Sequence, residues 1–473
     1  MTFFVKKLGR WLSRFLKDLR SAVVVVSRFL FPGVAKQPLY IFQKLLEKRT
    51  WKQVFRNILF VLSAYVVSII LMFFRSLWAG SVYTVILRYI LPLALLCGFL
   101  AAVYNASSSE FRICLLLSIS GLMTQSVIST NTAAELIRHH VYAVIGGIAG
   151  AVLYYLLTEI EPRCAVRLLN TLSLFLYIAL LFSSARHSAK NWLSIGGGSI
   201  QGTEITRLLA VICAARISAM REKSSRQRTF MLFSTLFLHL GFLVLLNEFS
   251  IAIVIFVTAI LLLLVGIQQL RWTVIGVAAT AIGGYTTFLV CKLCYQLGGG
   301  GILRGGNLIY GKIVSRLLPK QAGDSYQIDQ ARRSLLLSGW FGSSAEDVYI
   351  PAGDTDFVLV SAVKTFGYSF FFAIILLMFA LLVLALLHAD QSFPGLLSLA
   401  CILTLEIQFI CNAGSSVGLT PIMGLTCPFL SLGGTSLVVT FFFCGVLLAA
   451  SSSLPPEKPI FFYKRKGEVD REQ

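Results

Sequence analysis

NAGSSVGLTPIMGLTCPFLSLGGTS, residues Asn412 to Ser436, lies between two apolar segments near the C-terminus and carries no charged side chain. A solvent loop of this length would recruit Asp, Glu or Lys. Irregular backbone at membrane depth uses small, neutral residues instead, and it is tolerated only where it lines a cavity or is covered by protein. The run therefore predicts a bilayer-embedded chain with a neutral, glycine-lined cavity open to one half of the membrane.

The rest of the 473-residue chain agrees: 57% of it is hydrophobic and 13% charged, with a mean hydropathy of +0.80. That excludes an ordinary soluble domain. Apolar windows predict twelve spans, near 55–74, 83–104, 112–128, 138–158, 166–184, 203–219, 229–246, 248–268, 271–297, 357–388, 394–413 and 434–454. The formal charge of +20 is concentrated beside these spans. Residues 1–56 hold 13 Lys and Arg against Asp18 and Glu47, and Arg216 to Arg228 holds five against Glu222. That is the positive-inside pattern, suited to anionic lipid headgroups and not to nucleic acid. It predicts a plasma-membrane protein with both termini cytoplasmic and two long extracytoplasmic segments, Ser183 to Thr203 and Gly298 to Asp356. In the second, LIYGKIVSRLLP (308–319) and YQIDQARRSLLL (326–337) read as short amphipathic helices, with hinges at Gly298 to Gly301 and Gly305-Gly306. The Cys291–Cys294 pair lacks the further ligands of a metal site. Walker, dinucleotide, HExxH and nucleophile-elbow motifs are absent.

Polar residues in or beside spans are expensive and so informative. Asp354 and Asp356 stand where the second outer segment enters a span. A carboxylate there is half in water and half against an apolar wall, suited to a general base; Thr355 or Asp356 could equally cap the helix starting at Phe357. Glu204 and Arg207 share a helix face, as an ion pair or as the charged rim of a cavity for an anionic headgroup. Gln408 and Asn412, one turn apart in a span that also holds Glu406, read first as bonds to neighbouring helices.

Together these positions resemble the SEDS family of bacterial cell-envelope polymerases (FtsW, RodA, SpoVE). The resemblance is carried by Gly418 to Pro421, Gly424 and Pro428 to Ser436, with Gln408 and Asn412 ahead of them. Further blocks are Asn191-Trp192 to Gln201–Arg207, then Tyr326-Gln327 with Gln330 and Ser338 to Gly342, then Ile350 to Leu359. The chain departs from the family pattern at Asn191, Gly202, Val363-Lys364 and Leu432. The resemblance implies an all-α polytopic membrane protein: a ten-helix core over 109–455 with its extracytoplasmic loop at 298–356. Two extra transmembrane helices (55–108), a basic cytoplasmic arm (1–54) and a tail (456–473) complete the chain.

By the same resemblance, Asp356 is the catalytic carboxylate of a peptidoglycan glycosyltransferase that polymerises lipid II, with undecaprenyl pyrophosphate leaving. Substrate-binding positions are implied at Gln201, Glu204, Arg207, Arg316, Gln330, Asp354, Gln408, Asn412, Ser431, Gly433, Gly434 and Ser436. Arg207, Arg316 or a divalent cation (Mg or Mn) would offset charge on the pyrophosphate. A class B penicillin-binding protein is the expected partner. A precursor flippase and a non-catalytic scaffold are the rival classes.

Overall fold

The computed structural model describes residues 109–128, 133–183, 191–195, 198–297, 304–317, 325–342 and 348–451. The expected arm, the spans at 55–74 and 83–104, the hinge at 298–301 and the tail lie outside the described residues. Within them the chain is almost wholly helical: α1 (Ser109–Val127), α2 (Ala133–Glu159), α3 (Pro162–Leu181), α4 (Gly202–Ser218), α5 (Ser225–Leu245), α6 (Phe249–Leu262), α7 (Leu270–Gln296), α8 (Arg304–Leu317), α9 (Ser325–Leu337), α10 (Val358–Phe366), α11 (Tyr368–His388), α12 (Phe393–Ser416) and α13 (Gly434–Ser451). Seven described helices are long and apolar enough to cross a membrane, within α2, α3, α5, α6 with its π-helical extension to Ile267, α7, α11 and α12. The protein is membrane-integral.

Helix starts follow local chemistry. Ser224 accepts from the Gln227 N–H and Gln227 answers to the Ser224 N–H, a capping box opening α5. Ser392 caps α12, with Pro394 in its first turn. The turn between α5 and α6 is tight, with Asn247 at φ 62°. Gly305 and Gly306, expected as a hinge, fall inside α8; Gly306 lies against Cys294 of α7, where a Cβ would come 2.8 Å from the sulfur.

At the centre runs α4, touching α3, α5, α6 and α12. All its residues but Ile205 are buried, including Glu204, Arg207 and Arg216. On one side α2 and α13 meet through glycine. A Cβ on Gly150 would lie 2.1 Å from the Phe442 carbonyl oxygen, and one on Gly445 would lie 2.1 Å from that of Gly147. Small residues are what let membrane helices approach this closely.

Two elements differ from expectation. The apolar run 357–388 is two helices, broken at Gly367 with φ +86°. There the Tyr368 and Ser369 N–H groups bond the Gly339 and Trp340 carbonyls, so the Ser338–Gly342 segment docks into the break. The segment between α3 and α4 forms a hairpin, β1 (Trp192–Ile195) antiparallel to β2 (Gly198–Gln201), with Ile195 opposite Gly198.

The candidate active site

Hairpin, α4 and the signature run meet at one end of the molecule. The Gln201 N–H bonds Thr435 Oγ1, and Ser250 at the start of α6 donates to the Met423 carbonyl. Arg216 lies in the last turn of α4 and the basic link to Arg228 follows its opposite end; its 17 residues span ~25 Å. Asp356 belongs to the hairpin end, away from the basic link, because its turn is bonded to the signature run.

That turn, 350–357, is tightly wound. The Thr355 and Phe357 N–H groups both bond the Ala352 carbonyl, and Ala352 sits at φ 51°. Phe357 occupies the N-cap position of α10, so neither Thr355 nor Asp356 does. Below it Phe357 and Val360 pack on Ala331 of α9, with Ile350 and Ile422 at the edge.

Three successive carbonyls of the turn are tied down. The Asp354 oxygen accepts from Gln125 Nε2 of α1 (2.8 Å) and from the Leu432 N–H (3.0 Å). The Thr355 oxygen accepts from Ser431 Oγ (2.7 Å), which itself accepts from the Cys427 N–H. The Asp356 oxygen accepts from Asn412 Nδ2 (2.8 Å), which also donates to the Leu425 carbonyl. The backbone around Asp356 is thus fixed from α1, α12 and the signature run at once. The Asp356 side chain is half-buried and faces Gly424, where a Cβ would sit 3.7 Å from Oδ2. Gly424 has φ +62°, a conformation favouring glycine.

Behind this face runs a buried polar chain. Glu204 and Arg207 pair at 2.5 Å, 3% and 0% exposed. Arg207 Nη1 donates to Gln408 Oε1, Gln408 Nε2 donates to the Thr426 carbonyl at 2.8 Å, and Thr426 Oγ1 meets Ser436 Oγ. Of the two sequence readings of Glu204 and Arg207, the buried ion pair is the one seen, and Arg207 does not sit at an open rim. Gln408 bonds a neighbouring helix through Arg207, as the sequence suggested, whereas Asn412 donates to carbonyls of a turn and a loop, Asp356 and Leu425, rather than to a helix. Ser431 and Ser436 are buried beside them, whereas Gly433, Gly434, Asp354 and Gln330 reach the surface in part or fully. Arg316 lies in the last turn of α8, and its side chain is outside the described residues. Among the described residues no three His, Cys, Asp or Glu side chains gather as a metal site.

Sequence reasoning passed over Gln125, Thr426 and the bond from Asn191 to Glu248 (3.1 Å). Gln125 carried a usable signal, being an amide in an apolar helix like Gln408.

A membrane-integral helical body with an acidic turn pinned under a glycine-rich loop defines the class. The family model for FtsW, RodA and SpoVE, described as cell cycle protein, matches residues 103–454, and the chain belongs to that family. It is 26% identical over 370 residues to a probable peptidoglycan glycosyltransferase FtsW of Alcanivorax borkumensis, covering 72% of this chain and 91% of that protein. It is 28% identical over 344 residues to the FtsW of the same description in Pseudomonas fluorescens, covering 68% and 80%. A solved chain from a peptidoglycan synthase complex, studied for how polymerization and crosslinking are coordinated, shares the fold with a TM-score of 0.57 at 19% identity, covering 75% of this chain and 99% of that one.

Proposed function

We propose that this protein is a peptidoglycan glycosyltransferase that polymerises lipid II, with Asp356 as the general base. The observation that carries the reading is the fixation of the Asp354, Thr355 and Asp356 carbonyls by Gln125, Leu432, Ser431 and Asn412. It holds one partly exposed carboxylate at a set position over Gly424. Such preorganisation is what a proton acceptor needs, and a positioned general base contributes on the order of 10² to 10⁴ in rate.

In the reaction, the 4-hydroxyl oxygen of the acceptor GlcNAc attacks the anomeric carbon of the donor MurNAc. Asp356 takes the hydroxyl proton, the new glycosidic bond forms with inversion, and the bond from the anomeric carbon to pyrophosphate breaks. Undecaprenyl pyrophosphate leaves with the electron pair. The charge asymmetry supports an extracytoplasmic site, since the basic link 216–228 lies at the other end of α4 and basic segments stay inside. The buried pair Glu204–Arg207, with Gln408, Asn412, Ser431 and Ser436, serves by holding the loop. Gln201, Asp354, Gln330, Gly433 and Gly434, each at least partly exposed, are the positions proposed to meet the sugars. Arg316 on α8, or a divalent cation carried by the pyrophosphate itself, is the proposed counter-charge. A class B penicillin-binding protein that crosslinks the glycan is the proposed partner, and the ten-helix core with two added N-terminal spans the proposed organisation.

Purified protein given labelled lipid II tests the reading. Polymer that is lost in Asp356→Ala at equal protein levels is expected. An Asp356→Ala variant of near wild-type activity would reject Asp356 as base. Lipid translocation into vesicles without any polymer would replace the enzyme with a transporter.

A further inference from the structure

Among the donors that fix the turn, Gln125 is the one from α1, and it joins the two segments that make the site. It lies in the last turn of α1 and is 0% exposed. Its side-chain nitrogen donates to the Asp354 carbonyl at 2.8 Å and to the Leu430 carbonyl at 2.6 Å. A primary amide has two N–H groups on that nitrogen, and these two acceptors take one each. Asp354 precedes Asp356 by two residues, and Leu430 is in the middle of the signature run, so one amide spans both. The Asp354 oxygen also receives the Leu432 N–H at 3.0 Å, which uses both its lone pairs. The approach of α1 is fixed one helical turn earlier. Gly121 lies against the Phe429 carbonyl, where a Cβ would come within 2.0 Å. A glycine contact and an amide staple, one turn apart on the same helix face, therefore dock α1 on residues 429–430.

We infer that Gln125 is a positioning residue for the transferase, holding the Asp356 turn in register with the signature loop through its two amide hydrogens. The inference rests on the reading of Asp356 as general base. Other donors supply single bonds to the turn; Gln125 and Asn412 each bridge the turn and the loop, from helices on different sides. Loss of the Gln125 bridge leaves the turn held by Asn412 of α12 and by Ser431 and Leu432 of the loop, with no bond from α1. The carboxylate then samples orientations that bind substrate but do not accept its proton. A misplacement of about 1 Å can cost on the order of 10²-fold in rate.

The test replaces Gln125 with Met, which keeps the length and removes both donors, and with Glu, which keeps the shape and removes the amide. Thr235→Val, in the buried polar contact of α5 with Asn170 of α3, is the control for a general loss of interior hydrogen bonding. Polymerisation of lipid II is expected to show kcat down at least tenfold in both Gln125 variants, with KM within about twofold of wild type and Thr235→Val unchanged. Hydrogen exchange of the Thr355, Phe357 and Leu432 amides should quicken in Gln125→Met. A kcat within twofold of wild type, or a rise in KM alone, would overturn the inference. So would failure of both Gln125 variants to give folded protein while Thr235→Val folds, because Gln125 would then belong to general helix packing. If the wild-type protein makes no polymer, the catalytic reading fails. The exchange comparison then still decides whether Gln125 holds the turn.

Discussion

Glu204→Gln should destabilise the protein far more than its near-isosteric change suggests. Arg207 is wholly buried, and its carboxylate partner lies 2.5 Å away at 3% exposure. Glutamine keeps an acceptor oxygen but removes the negative charge, leaving a guanidinium uncompensated in the interior. Breaking one side of a buried pair costs about 3–5 kcal/mol. At roughly 2–4 °C per kcal/mol for chains of a few hundred residues, Tm should fall by about 6–20 °C. Removing both charges, Glu204→Leu with Arg207→Met, should return most of that stability, since apolar replacement of a buried pair is often neutral or better. It should not return activity, because Gln408 then loses the Arg207 donor that steadies its contact with Thr426. Tryptophan-monitored melting in detergent, paired with polymer formation on the same samples, reads both quantities. A single variant melting within about 2 °C of wild type would refute the argument, as would a double variant no more stable than the single.

Three further outcomes follow from particular contacts. Gly445→Val places a branched side chain where a Cβ already comes 2.1 Å from the Gly147 carbonyl; α2 and α13 must part, and the yield of monodisperse protein should collapse. Gly367→Ala combines φ +86° with a Cβ 2.2 Å from the Trp340 carbonyl; the Ser338–Gly342 segment should release, and trypsin should cut faster after the exposed Arg332 and Arg333. Ser224→Ala removes the α5 capping box at the end away from the site, so about 1 kcal/mol of stability should go with turnover unchanged.

Much of this architecture is legible in the chain because lipid-facing helices must be long and apolar, and the spans expected from 138 to 297 match α2 to α7 closely in position. The break at Gly367 is not legible there. Lys364, Thr365 and Ser369 lower the hydropathy only briefly between two strongly apolar stretches, and the cause of the break is tertiary, the Gly339 and Trp340 carbonyls arriving from another segment. The hairpin Trp192–Gln201 escaped for a different reason. Its strands have four residues each, too few for an alternating pattern to stand out, although Gly196-Gly197 between them is a turn signal. At the site, spacing brought out Asp356, Gln408 and Asn412 as polar groups at costly positions. It could not reveal that Gln408 and Asn412 hold backbone carbonyls, because the acceptors are a feature of the folded loop and not of side-chain identity.

The junction of α5 and α6, from Asn247 to Ser250 in the first turn of α6, holds three otherwise separate parts: Glu248 receives Asn191 of the hairpin region, the Asn247 carbonyl receives Lys312 of α8, and Ser250 reaches Met423. Any displacement of α8 therefore pulls on the same knot that anchors the run facing Asp356, so the outer helix and the acidic turn are mechanically joined through a four-residue junction.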